Sequence, residues 1–478
     1  MPLSNQLKNQ HLLWRAAFGP MIENVNQLSE VSQKELYKIL LKTSSKKPTA
    51  LNVASNTYDG LVKGIQDLGQ MQKLTQEQKK QLRKQSADDI KNLNLTWLSE
   101  MINSEAQLRE KMTLFWHGHF ACRVVNIYFQ QQLLNVTREN ALGNFGDLLR
   151  EVSKTPAMLS FLNNQQNRKQ HPNENFAREV MELFTMGRGN YTEDDVKEGA
   201  RAFTGWGFNL RGEFIQRPFQ HDNGNKTFLG KTGNFDGDDI IDIILEQKAT
   251  AKFITQKIYK FFVNDEGADV DKIESLSEGF YQSNYDLQKL MNNIFLGDWF
   301  YLEKNIGTRI KSPVELIVGI RRLIPMELEK PEAQLLFQKV LGQILFYPPN
   351  VAGWPGGKNW IDSSALMFRM RLPQILTNSE EFLITPKDDD DVMMGKEGVD
   401  KMSKPHQLNV NVDWNSVVDT FNTIKKENLQ QKVNDFVLQT KNSINPNVLK
   451  RYTDNTSREG FIKSSIIELM STPEYQLC

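Results

Sequence analysis

Cysteine is nearly absent: Cys122 and Cys478 are the only two in 478 residues, so no disulfide framework carries the fold and two free thiols are expected. Long apolar runs are missing too, and without about 18 consecutive apolar residues no membrane-spanning helix is expected. The first residues, Met1 to His11, lack the apolar stretch of a secretory signal, which makes the cytoplasm the default compartment. Neither sign of charge is in excess. Lys plus Arg and Asp plus Glu both number 58, so no overall field draws in nucleic acid or an anionic membrane, a local basic patch aside, and no nucleic-acid partner is expected. There is no Gly-rich phosphate loop leading into a Lys-Ser/Thr pair, no Gly-x-Ser-x-Gly elbow and no His-Glu-x-x-His. Asp236–Asp239 lacks the pattern of an EF-hand calcium loop.

What is present describes a globular chain. Apolar residues make up 39% and charged residues 24%, with 27 Phe and 8 Trp, enough for a substantial core. Length alone suggests about three domains or one large domain with appendages.

Apolar residues recur mostly at helical spacing. Helices are read at Leu12 to Phe18, stopped by Gly19-Pro20, and at Gln33 to Lys42. Thr75 and Gln78 form a capping-box pattern ahead of a helix reaching Asn103. Leu108 to Val136 reads as core helix broken near Gly118, and Asn144 to Asn163 as a helix pair divided at Thr155-Pro156. From Phe208 to Gly237, aromatics interleaved with Gly, Arg and Gln suit a short hairpin or ordered loop. Helices resume from Asp239 to Leu323, with a break at Ser283-Asn284-Tyr285 and a restart at Ile310-Lys311-Ser312-Pro313. The class is therefore mainly α. Residues 1–378 read as a helical core, 379–411 as a polar mobile excursion carrying Asp388–Asp391, and 412–478 as helices packed back on the core.

The chain is organised around His171 to Gly187 and the following helix to Trp206. Asn173 or Asn175 can cap a helix, and Phe176, Val180, Leu183 and Phe184 supply its buried face. Glu174, Arg178 and Glu182 are spaced by four, each turned only about 40° from the last, which makes one charged stripe. Such a stripe is either a solvated ion-pair ladder or one wall of a pocket, with Arg178 holding one carboxylate ionised while the other serves as acid, base or ligand.

Three histidines are further candidates. His117 and His119 share a face on a strand and can then bind one metal ion; on a helix they lie about 200° apart. Their alternative is a capping or packing role beside Trp116. His221-Asp222, in the Gly-rich region, suits a metal ligand, a base or an anion contact, or is part of an exposed turn. The loop Pro348 to Trp360 offers Trp354, Lys358 and Trp360 either as a binding platform for sugar or peptide or as an anchor on the core.

Several stretches together resemble the uncharacterised DUF1800 family: His11 to Pro20, Met112 to Phe120, Asn173 to Gly187, Ala200 to Trp206, His221-Asp222 with Lys226 to Gly230, Ile310 to Pro313, and Gly353 to Trp360. The resemblance runs in order over most of the chain. It implies a mostly helical bacterial protein, often exported, often encoded beside a phosphatase-superfamily-like partner, and without an established activity.

Two functions are expected from these readings. One is a hydrolase with a site between helices near the middle of the chain. In it Glu174, Arg178, Glu182 and His221 act in catalysis, and His117, His119 and His221 are candidates to hold a divalent metal. The other is a non-catalytic helical scaffold that docks a protein or glycan through the aromatic loop and the 208–237 excursion.

Overall fold

In the computed structural model the structure describes residues 3–25, 27–54, 75–209, 211–378, 381–382, 406–440, 449 and 451–478. Among these, helix dominates. The N-terminal part contains α1 (Asn5–Ala16), α2 (Gln33–Ser44), α3 (Gln76–Asn103), α4 (Gln107–His119), α5 (Ile127–Asn140), α6 (Phe145–Ser153) and α7 (Pro156–Phe161). The middle contains α8 (Glu174–Glu179), α9 (Glu193–Ala202), α10 (Gly237–Leu245), α11 (Lys248–Phe262), α12 (Val270–Gln282) and α13 (Leu287–Phe295). The last part contains α14 (Pro313–Leu323), α15 (Ala333–Leu341), α16 (Ser363–Asn378), α17 (Trp414–Phe421), α18 (Lys426–Val437) and α19 (Arg458–Met470). No described helix is long and apolar enough to cross a membrane.

Local signals in the sequence account for most of these boundaries. Thr75 and Gln78 exchange bonds as a capping box, with Gln78 N donating to Thr75 Oγ1 at 3.2 Å and Thr75 N to Gln78 Oε1 at 2.9 Å. Pro313 sits in the first turn of α14, where its missing N–H costs nothing, and Ser312 caps that helix. The long apolar stretch from Leu108 breaks one residue beyond His119, giving α4 and α5. The break between α12 and α13 falls at Asn284 and Tyr285, both left-handed, at φ 54° and 63°.

Strand is confined to four two-stranded antiparallel ladders among the described residues. Two lie in the region expected to hold one hairpin: β1 (Trp206–Phe208) with β2 (Phe214–Gln216), and β3 (Lys226–Phe228) with β4 (Lys231–Gly233). The others pair β5 (Met326–Leu328) with β8 (Val410–Val412), and β6 (Glu381–Phe382) with β7 (His406–Gln407). Most of the excursion read at 379–411 lies outside the described residues; its described ends are these short pairings.

Burial divides the apolar side chains into packed groups. One runs from Leu12 through α4 to α13, with Trp116, Phe145, Phe176 and Phe184 at its centre. A second gathers α14 to α19 around Trp14 and Ile22, so α1 contributes to both. A third packs α3 against α14 through Trp97, Leu98, Met101, Val314 and Val318. Each fully buried Leu, Ile or Phe here is worth about 1.5–3 kcal/mol relative to exposure. Both cysteines are buried and free.

Candidate functional site

The Asn173–Gly187 stretch begins as a capped α-helix and then changes pitch. Asn173 Oδ1 accepts from Asn175 N at 3.0 Å and starts α8. From Val180 to Thr185 the chain is a π-helix. Met186 N donates to Met181 O, five residues back, at 2.9 Å, and Thr185 Oγ1 donates to Val180 O at 2.6 Å. The wider turn ends at Gly187, whose φ of +75° and close approach to Phe253 leave no room for a side chain. Such insertions are frequent at functional sites.

This change of pitch splits the expected charged stripe. Arg178 bonds Glu174 at 3.2 Å and reaches across to α9, where Glu193 receives both arms of the guanidinium at 2.8 and 2.7 Å. Glu182, within the π-turn, bonds instead to Arg188 Nε at 2.5 Å and accepts from Tyr191 OH at 2.8 Å, with the Arg178 charge still acting on it. The Arg188 and Tyr191 bonds hold its carboxyl below the ordinary range. Its neighbour Glu179 is shifted the other way, raised by burial and by the charge of Glu182. Two carboxyls within one turn are thus driven apart in acidity.

The π-helix leaves carbonyls at its C-terminal end without helical donors, and α4 and α11 supply them. His119 Nε2 lies 3.1 Å from Phe184 O; since a carbonyl only accepts, Nε2 carries the proton. Nδ1 is therefore the acceptor for Lys257 Nζ, at 3.2 Å, and Lys257 also donates to Leu183 O at 3.1 Å. Burial, and then the charge of Lys257, keep His119 well below the usual imidazole range. Burial draws Lys257 down to about 8. A neutral lysine amine has two N–H groups and one lone pair. Both N–H groups have acceptors here, so neither bond uses the lone pair of the deprotonated amine, and Nζ lies 4.8 Å from the centre of the Phe253 ring.

The other sequence candidates point elsewhere. His117, two residues from His119 on the same helix, faces the opposite side, where Phe346 N donates to its Nε2 at 3.1 Å. Trp97, Phe346 and Trp354 surround its ring at centroid distances of 5.2, 5.1 and 5.5 Å. Burial depresses it to about 3. It anchors the Pro348–Trp360 loop, with Trp360 buried and Trp354 half-buried, while Lys358 is exposed and paired with Glu266 at 2.8 Å. His221 is buried against Thr204, donating from Nδ1 to Thr204 O at 2.9 Å, and Asp222 is held by Arg201 Nε at 2.8 Å. The three imidazoles are thus committed to three separate backbone partners. Among the described residues no three His, Cys, Asp or Glu side chains gather as a metal would require.

Two features escaped the sequence reading. Lys257 interrupts the apolar face of α11 between Ile254 and Ile258, a signal that was present in the spacing. The second is an ion cluster at the meeting of α1, α4 and α14. Arg309 bonds Glu315 through both arms at 2.8 and 2.7 Å, and Lys111 bonds the same carboxylate. Arg15, Lys311 and Arg369 lie buried around it. Arg15 and Lys311 belong to the His11–Pro20 and Ile310–Pro313 stretches, so segments that look unrelated in sequence converge on one buried charge group.

A family model described as a protein of unknown function, DUF1800, matches residues 11–477. No curated protein and no solved structure matches the chain.

Proposed function

The chain belongs to the DUF1800 family, and from that premise we propose that it is a hydrolase whose base is Lys257, oriented by His119 at the mouth of the π-helix. The observation that carries this reading is the pair of bonds from Lys257 Nζ to His119 Nδ1 and Leu183 O. They occupy both N–H groups of the neutral amine and fix the direction of its lone pair. An acidity near 8 keeps a useful fraction of the amine unprotonated at neutral pH.

In this reading the lone pair takes a proton from water as the water oxygen bonds to an acyl or phosphoryl centre. The proton rests on Nζ until the departing group takes it. His119 is a positioning residue: its fixed tautomer accepts from the amine and cannot compete for the proton. Glu179 and Glu182, oppositely shifted in the same helix, add acid–base character to this region. His117 through Nε2 and His221 through Nδ1 are bonded to other parts of the backbone and take no part in this reading.

The test is a screen of ester, amide, glycoside and phosphate model substrates with wild type, Lys257→Met and His119→Asn. Turnover that is lost in Lys257→Met with the fold retained and stability not reduced supports the reading. Turnover indifferent to Lys257 overturns it. The scaffold reading is favoured by a different observation, Phe219, which stands 91% exposed in the 208–237 excursion.

A further inference from the structure

Phe219 is the most exposed large apolar side chain among the described residues, on a single 3-10 turn, Pro218–Gln220. Its surroundings are basic. Lys169 N donates to Gln220 O at 2.8 Å, which ties the Arg168–His171 turn to the Phe219 turn, and Arg217 N donates to Gly205 O at 2.8 Å beside them. Arg168 and Lys169 are exposed and join no ion pair among the described residues. In a chain whose charges balance overall, Arg168 and Lys169 stand beside the Phe219 turn with no acidic residue in 167–172, while the Arg217 guanidinium is turned to Phe208 O at 3.0 Å.

We infer that this face docks on an anionic lipid surface, a conclusion that develops the binding reading and is independent of Lys257. The shape selects the occupant. A ring that protrudes, rather than lining a groove, offers a peptide nothing to lie in, whereas it can pass between lipid headgroups into the acyl boundary. The flanking guanidinium and ammonium groups then meet lipid phosphates and carboxylates, an attraction that salt screens.

The experiment is co-sedimentation of the full chain with vesicles of phosphatidylcholine alone and of phosphatidylcholine mixed with phosphatidylserine, at low and high salt. Binding is expected only to the mixed vesicles, weakened at high salt, and reduced at least about tenfold by Phe219→Ala and by Arg168→Glu with Lys169→Glu. No sedimentation with mixed vesicles overturns the inference. So does equal binding by the variants, or a Phe219-dependent complex with a protein in place of lipid. Circular dichroism and melting of each variant keep a folding defect from passing as a result. Vesicle binding by a protein that hydrolyses nothing leaves this inference standing and removes the catalytic reading; hydrolysis without vesicle binding does the reverse.

Discussion

Lys257 and His119, 138 residues apart in sequence, meet at 3.2 Å with the lysine donating to Nδ1. The contact sits against the widened turn, whose Leu183 and Phe184 carbonyls each accept from one of the two side chains. A regular α-helix through Val180–Thr185 would place Leu183 O and Phe184 O differently, and the two side chains would lose the acceptors that bring them together.

The half-buried amine makes stability depend on pH in a definite direction. Folding lowers the pKa of Lys257 from 10.5 to about 8. Below about 8 both states bind the proton and folding bears the full cost of burying the charge. Between about 8 and 10.5 the unfolded chain holds more protons, so stability rises with pH. Lys257→Met should therefore be more stable than wild type near neutrality, and the gap should shrink by roughly 1–3 kcal/mol on going to about pH 10. Urea unfolding of both proteins measures it; a gap that does not change with pH would count against a perturbed lysine.

Breaking the Glu315 cluster should be costly. Burial alone would raise this carboxyl, but Arg309 and Lys111 outweigh that and hold it well below the usual carboxylate range. Glu315→Gln leaves both cations buried without that partner, an effect of about 3–5 kcal/mol. Chemical denaturation showing a loss under about 1 kcal/mol would mean that the cluster tolerates excess positive charge.

The aromatic loop is fixed by a backbone approach. A Cβ on Gly353 would lie 2.3 Å from Gly118 O, and its φ is +79°. Gly353→Ala should cost about 1–3 kcal/mol and change the fluorescence of Trp354 as the loop lifts from His117. An unaltered spectrum and melting profile would show that the loop is not held there.

Much of the fold was legible because its signals are local. The capping box at Thr75, the Pro after Ser312 and the break at Asn284 each announce a boundary within a few residues. The π-helix was not legible: Val180 to Thr185 keep α-helical spacing, and one extra residue per turn leaves no mark in composition. That is why Glu174, Arg178 and Glu182 read as one stripe and stand as two ion groups. Nor could spacing say which His meets which partner. On a helix His117 and His119 were bound to diverge, as they do, but the Lys257 contact is long-range. The β5–β8 pairing, joining Met326 to Val412, is hidden for the same reason.

The central claim is that the Lys257 amine is the base, and the rate of substrate hydrolysis as a function of pH tests it most directly. Wild type should show an ascending limb with a midpoint near 8. Lys257→Arg, which keeps the positive charge but cannot shed its proton, should abolish that limb while retaining the fold. A Lys257→Arg protein with the wild-type profile, or a wild type that turns over no substrate class at any pH, would contradict the account.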